Sequence, residues 1–203
     1  MQAPPHPIDA LRAARRDLLA ALQGRTAADL LRPGGEGEWC GRDVLLHIAA
    51  WLRELAHLVP DLATYGYQRG EPCGPGPDWA AWNAAQIALQ RTVRPEAAVA
   101  GVVTAHARLL EAVAELDDAG LRRRGPTRFG FVTSGWDLLM AEAAHEREHA
   151  ARLAAHARRP ARARDPPCHQ PGPVLHTSAA GCSIKSQRNT KRYARREFWR
   201  TSR

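Results

Sequence analysis

Lysine is missing from the first 159 residues of this 203-residue chain. No apolar run approaches the ~18 residues that a membrane-spanning helix needs. Residues 1–17 lack the apolar stretch of a secretion signal, so a cytoplasmic location is expected. β-branched residues are scarce and no segment alternates as a strand would, which argues against a sheet protein. The cysteines, Cys40, Cys73, Cys168 and Cys182, form no CxxC pair and no disulfide framework. In a cytosolic setting they are expected to remain thiols.

What is present divides sharply. Residues 1–159 hold 19 arginines against 19 acidic residues and are neutral. Residues 160–203 hold 8 Arg and 2 Lys against Asp165 and Glu197, and so carry the whole formal charge of +8. The body therefore carries no charge signal for a nucleic-acid or acidic partner, and the basic excess lies in the tail. That tail has five prolines between Pro160 and Pro173, and it is expected to be disordered. Its Cys168, His169, His176 and Cys182 match no zinc-ligand spacing.

The body reads as helical. A first helix is expected over residues 8–22, with Leu11, Leu18, Leu19 and Leu22 at helical spacing and Gly24 ending it. A second runs from Gly41 and stops before Pro60. Its stripe is Val44, His47/Ile48, Trp51, Leu55 and Leu58/Val59. Residues 61–77 are expected as loop. Asp78 should cap a short helix reaching about residue 92. Pro95 should open a third long helix to about residue 116, with Val99, Val102/Val103, His106, Leu109/Leu110 and Val113 inward. Residues 117–130 form a turn-rich connection, and Ser134 caps a last helix over residues 135–158. The expectation is an all-α four-helix bundle over residues 1–159. A short extra helix joins the second and third long ones, and the tail over 160–203 follows.

Polar residues interrupt two of these inward stripes. In the last helix His145 and His149 lie four apart, so both imidazoles can reach one ion. Leu138, Ala141/Glu142 and Arg152/Leu153 place them on the inward face, where unbound imidazoles would be left unsatisfied. The plainer alternative seats them at the bundle rim, solvated. His47 lies between Val44 and Trp51 and supplies a third nitrogen from a second helix. Together the three would make a facial set that leaves positions open for substrate. His145-Glu146-x-x-His149 also matches the HExxH pattern of zinc proteases, in which Glu146 would be the base. No strand is evident to align a peptide. The later histidines His156, His169 and His176 are poorly placed as a third ligand, so Glu146 is read as a surface charge.

Three stretches resemble the DinB-like family of four-helix-bundle metalloproteins. The first is Trp39-Cys40-Gly41-Arg42-Asp43-Val44-Leu45-Leu46-His47-Ile48-Ala49-Ala50-Trp51. The second is Asp78-Trp79-Ala80-Ala81-Trp82-Asn83. The third is Trp136-Asp137-Leu138-Leu139 with the later His145-Glu146-Arg147-Glu148-His149. The resemblance covers residues 8–158. It implies a divalent metal, often zinc or nickel, on His47, His145 and His149, and a tendency to form homodimers. It also implies a small-molecule substrate. Family members include S-transferases that use low-molecular-weight thiols, a branch like the N-domain of maleylpyruvate isomerase, and resistance proteins that open a reactive cyclopropane. The implied function is thiol transfer to, or hydrolysis of, a small electrophile; the alternative is a bundle that binds or sequesters a small molecule without turnover. Glu148 and Glu54 are candidates to orient the imidazoles, and Trp51, Trp82 and Asn83 to line the pocket, although surface charge and core packing explain them equally. Trp39 is assigned to the core. Arg42, Arg53 and Arg147 are candidate anchors for a cofactor carboxylate. Cys40 is either a reactive thiol or a small buried residue.

Overall fold

A computed structural model describes residues 5–33, 39–69 and 79–157. The expected tail, the Asp78 cap and Cys73, Cys168 and Cys182 lie outside these residues. Within them the protein is mainly helical, and its four long helices are those the apolar spacing indicates.

Helix α1 spans Pro7–Leu22 and opens with proline in its first turn, where a missing N–H costs nothing. Ala10, Leu11, Ala14 and Leu18 face inward. Gly24 takes the left-handed conformation at φ +75° just beyond it. A short helix, α2 (Ala27–Leu30), begins in a reciprocal cap: Asp29 N–H donates to Thr26 Oγ1 at 3.2 Å, and Thr26 N–H donates to Asp29 Oδ2 at 2.9 Å.

Helix α3 spans Gly41–Tyr65 and is buried on much of its circumference. It was expected to stop before Pro60, and instead runs through it. Proline there removes one helical hydrogen bond, a loss of about 3 kcal/mol in a helix interior. The continuation buries Leu62 and Ala63, and its end is closed by Gly66, at φ +75°, whose N–H donates to Leu62 O at 3.0 Å. Apolar burial past the proline therefore offsets the lost bond. Helix α4 spans Trp79–Ala88. It is shorter than the sequence expectation, as is α5 (Pro95–Val113), which buries Ala98, Val102, His106, Leu109 and Val113 but leaves Val103 exposed.

The connection after α5 is more ordered than a turn-rich loop. It holds helix α6 (Asp118–Arg122), capped by Asp117, and an antiparallel hairpin of β1 (Arg124–Pro126) and β2 (Val132–Ser134). Strands of three residues are too short to show a period, so the sequence does not betray them. Gly125 is required there, because a Cβ would fall 1.8 Å from the Gly66 carbonyl oxygen. Helix α7 spans Gly135–Ala157, and Asp137 N–H donates to Ser134 Oγ at 3.1 Å, as expected of the cap.

Helix α1 packs along α7, α3 along α5, and α3 against α7. The core between them is led by Leu11, Leu45, Leu52, Leu55, Leu109 and Leu139. None of the described helices is long and apolar enough to cross a membrane.

Candidate metal centre

The stripe of α3 and the inward face of α7 meet at three imidazoles. His47 enters from α3, and His145 and His149 from successive turns of α7. Their relative exposures are 2%, 5% and 3%, which excludes the solvated-rim alternative. His145 Nε2 lies 2.9 Å from His47 Nε2 and 2.8 Å from His149 Nε2. The rings stand edge-on, with interplanar angles of 72–88°. Three ring nitrogens thus face one small volume.

Burial drives His47 and His145 well below the ordinary imidazole pKa; His145 and His149 push His47 further, and His149 pushes His145 further. Burial likewise lowers His149 to about 4. All three are therefore neutral at pH 7, the state in which a ring nitrogen can ligate. A neutral Nε2 has a single in-plane lone pair, and that of His145 cannot serve two N–H donors well. One cation serves three lone pairs at once. Nitrogens about 2.0–2.1 Å from a shared ion lie roughly 3 Å apart when the bonds meet near a right angle, so the donor set fits a divalent metal. Among the described residues this is the one cluster of three such groups close enough to hold an ion.

One aromatic ring lies against His47, and others cluster one turn further along α3. The Trp39 ring centroid is 5.1 Å from that of His47. Trp51, one turn beyond His47, packs between Trp82 at 4.5 Å and Phe129 at 5.8 Å, so α4 and the hairpin loop both reach the site. Asn83 is buried, and its Oδ1 accepts from Trp51 Nε1–H at 3.1 Å. The polar side chain of Asn83 partly opposes the downward shift of the His47 imidazole. Asn83 therefore stands beside His47, and Trp51 beside Asn83.

The carboxylates fall differently from the sequence expectation. Glu148 lies on the exposed side of α7, paired with Arg152, and reaches His149 only weakly through its charge. Glu54 makes an ion pair with Arg128 and accepts from Gln68 Nε2 at 3.0 Å, tying the hairpin loop to α3. Neither bonds to an imidazole. The carboxylate that does is Glu142, fully buried, with Oε2 3.2 Å from His145 Nδ1. Its place on the inward stripe with Leu138 was legible; its bond to the far side of the ring was not.

Glu146, read as a surface charge, is fully buried. Burial first, and then Glu142, push its carboxyl up to about 8, while Arg15 of α1 and Arg147 pull it down. Its charged neighbours are Glu142 on the same helix, Arg15 of α1 and Arg147. His156 is buried but lies outside the cluster, and His169 and His176 lie outside the described residues. Cys40 is buried at the start of α3, its Sγ 3.3 Å from Asp43 Oδ2, so it is part of the helix cap. Arg42 pairs with Asp43 at 2.8 Å, Arg53 reaches Gln90 Oε1 at 3.5 Å, and Arg147 donates to Ala10 O at 3.2 Å. Each of these arginines already serves the packing of the fold.

Comparison with known proteins gives the same architecture. Two solved structures resemble this fold with a TM-score of 0.62: the mycothiol-dependent maleylpyruvate isomerase, at 17% identity, and a histidine-to-alanine mutant of it, at 18%. Each match covers 75% of this chain, which in turn spans 63% of the isomerase chain. No curated protein matches the chain. The model of the DinB superfamily matches residues 10–153, most of the chain and all of the histidine cluster. The chain belongs to the DinB superfamily.

Proposed function

We propose that this protein is a divalent-metal-dependent enzyme, with zinc or nickel on His47, His145 and His149, that transfers a low-molecular-weight thiol to a small electrophile or hydrolyses it. The observation that carries this reading is the convergence of three buried, neutral imidazoles, with the Nε2 atoms of His47 and His149 each within 2.9 Å of His145 Nε2. Three uncharged ligands leave a bound cation its full positive charge, and such a cation lowers the pKa of a thiol or water in its reach. The chain's own contribution is to bury the three imidazoles so that they stay neutral and dry, with the Trp39 ring against His47. The isomerases that share the fold are named for their dependence on mycothiol, and this supports a thiol as the second reactant. Fold alone does not fix a reaction, so the histidine geometry carries the argument.

The test is metal content followed by turnover. Purified protein should hold about one divalent ion per chain, and the His145→Ala/His149→Ala variant should hold none. The loaded protein should consume a low-molecular-weight thiol in the presence of a model electrophile. Full metal retention in the double variant would overturn the site. A second reading, a bundle that sequesters a small molecule around a structural metal, is favoured by the low exposure of the three histidines. It predicts thermal stabilisation by ligand with no turnover.

A further inference from the structure

Glu142 is a poor residue for stability. It sits one turn before His145 on α7 with no exposed surface. Its Oε1 makes no hydrogen bond, and Oε2 has one partner among the described residues, His145 Nδ1 at 3.2 Å. A buried carboxyl with one of its two oxygens unsatisfied weakens a fold, and an apolar side chain of the same size would pack there at lower cost. Leu138, Leu139 and Ala143 around it show that the helix has apolar residues at neighbouring buried positions. What Glu142 does have is the edge of the His145 ring opposite the nitrogen cluster.

That geometry has a consequence for the ring. If Nδ1 carries the proton and donates it to Glu142 Oε2, Nε2 must present its lone pair to His47 and His149. His145 is also the middle member of the trio, the one whose Nε2 is within 2.9 Å of both others. An error in its tautomer would put a proton in the centre of the ligand set. Backing a ligating imidazole with a carboxylate fixes its orientation and raises its basicity.

We propose that Glu142 is the positioning residue of this metal centre, selecting the Nδ1–H tautomer of His145 so that Nε2 is free to ligate. The inference rests on the metal reading above. Behind it, Glu146 and Arg15 continue the buried polar line toward α1.

Two measurements test it separately from that reading. The first needs no metal. In chelated protein, nitrogen-15 NMR of the imidazoles should show His145 protonated at Nδ1, and Glu142→Ala should shift it toward the Nε2–H form. An Nε2–H ring in the wild type, or an unchanged tautomer in the variant, overturns the proposal and leaves the metal reading standing. The second is zinc affinity by chelator competition. Glu142→Ala should bind zinc about 10–100-fold more weakly, while its metal-free melting temperature stays level or rises. Glu142→Gln, which retains an acceptor in nearly the same volume, should recover part of the loss. Equal affinity in wild type and Glu142→Ala overturns the proposal, as does a loss matched by a fall in the metal-free melting temperature. No zinc binding by the wild type sinks both readings.

Discussion

Helix α7 buries polar side chains on two of its faces, and the two groups are built on different terms. Toward α3, the ring nitrogens of His47 and His149 each lie within 2.9 Å of His145 Nε2. Toward α1, Glu146 lies in the field of Arg15, and Arg15 in turn acts on His106 of α5. In this second group neither oxygen of Glu146 nor Nη1 of Arg15 makes a hydrogen bond, although all are buried. Among the described residues His106 has one hydrogen-bond contact, a long one of 3.4 Å to Leu11 O. Neighbouring positions on one helix, His145 and Glu146, thus enter a convergent ligand set and a loose internal charge balance. Burial of titratable groups is common to both faces; convergence of donor atoms on one point belongs to the first alone, and it is what marks a site.

The comparison breaks most decisively at His47. His47→Ala should reduce metal affinity by at least ~100-fold, because a three-ligand set becomes a two-ligand set. Glu146→Gln on the other face should leave metal affinity within a few-fold of wild type. A large loss in Glu146→Gln would erase the distinction between the faces.

The next effect is on the pH dependence of stability in metal-free protein. The native state holds the Glu146 proton up to about pH 8, whereas the unfolded chain releases it near the ordinary value of 4.5. Native stability is therefore lost as pH rises from 4.5 through 8. Glu146→Gln should flatten that decline in urea titrations at a series of pH values, by its own share only, because Glu142 is also raised to about 8. An alkaline decline unchanged from the wild type would show that the carboxyl is not buried as described.

On the acid side the sign reverses. Burial lowers His106 to about 4, so between pH 6.5 and 4 the unfolded chain takes up a proton that the native state refuses. Stability should fall as pH falls through that window. His106→Gln should reduce the slope there, and have little effect above pH 7.

The smallest effect is expected at the Glu54–Arg128 pair. Its side chains are partly exposed at Arg128, so Glu54→Gln should cost at most about 1 kcal/mol, read as a minor shift in melting temperature. Zinc affinity should not move, since Glu54 touches no imidazole.

Much of this was legible in order of periodicity. The long helices follow from apolar spacing, and the inward direction of His47, His145 and His149 follows from the stripes they interrupt. The extension of α3 past Pro60 was not legible, because it depends on the apolar surface that Leu62 and Ala63 find to cover. The hairpin was hidden by its length. Among the carboxylates, Glu148 and Glu54 were plausible by proximity in sequence, whereas Glu142 was distinguished only when its oxygen was seen on His145 Nδ1.

The three histidines show where the division falls. By itself the sequence determined that two imidazoles share one face of a helix and that a third interrupts the stripe of another, because the helical period alone fixes which side chains lie together. The family match over residues 10–153 spans all three histidines. Only the tertiary structure decided that the nitrogens meet, that Glu142 backs one of them, and that Glu146 turns toward Arg15. Those depend on how α1, α3 and α7 are rotated and spaced against one another, which is set by packing across the whole core and by no single segment.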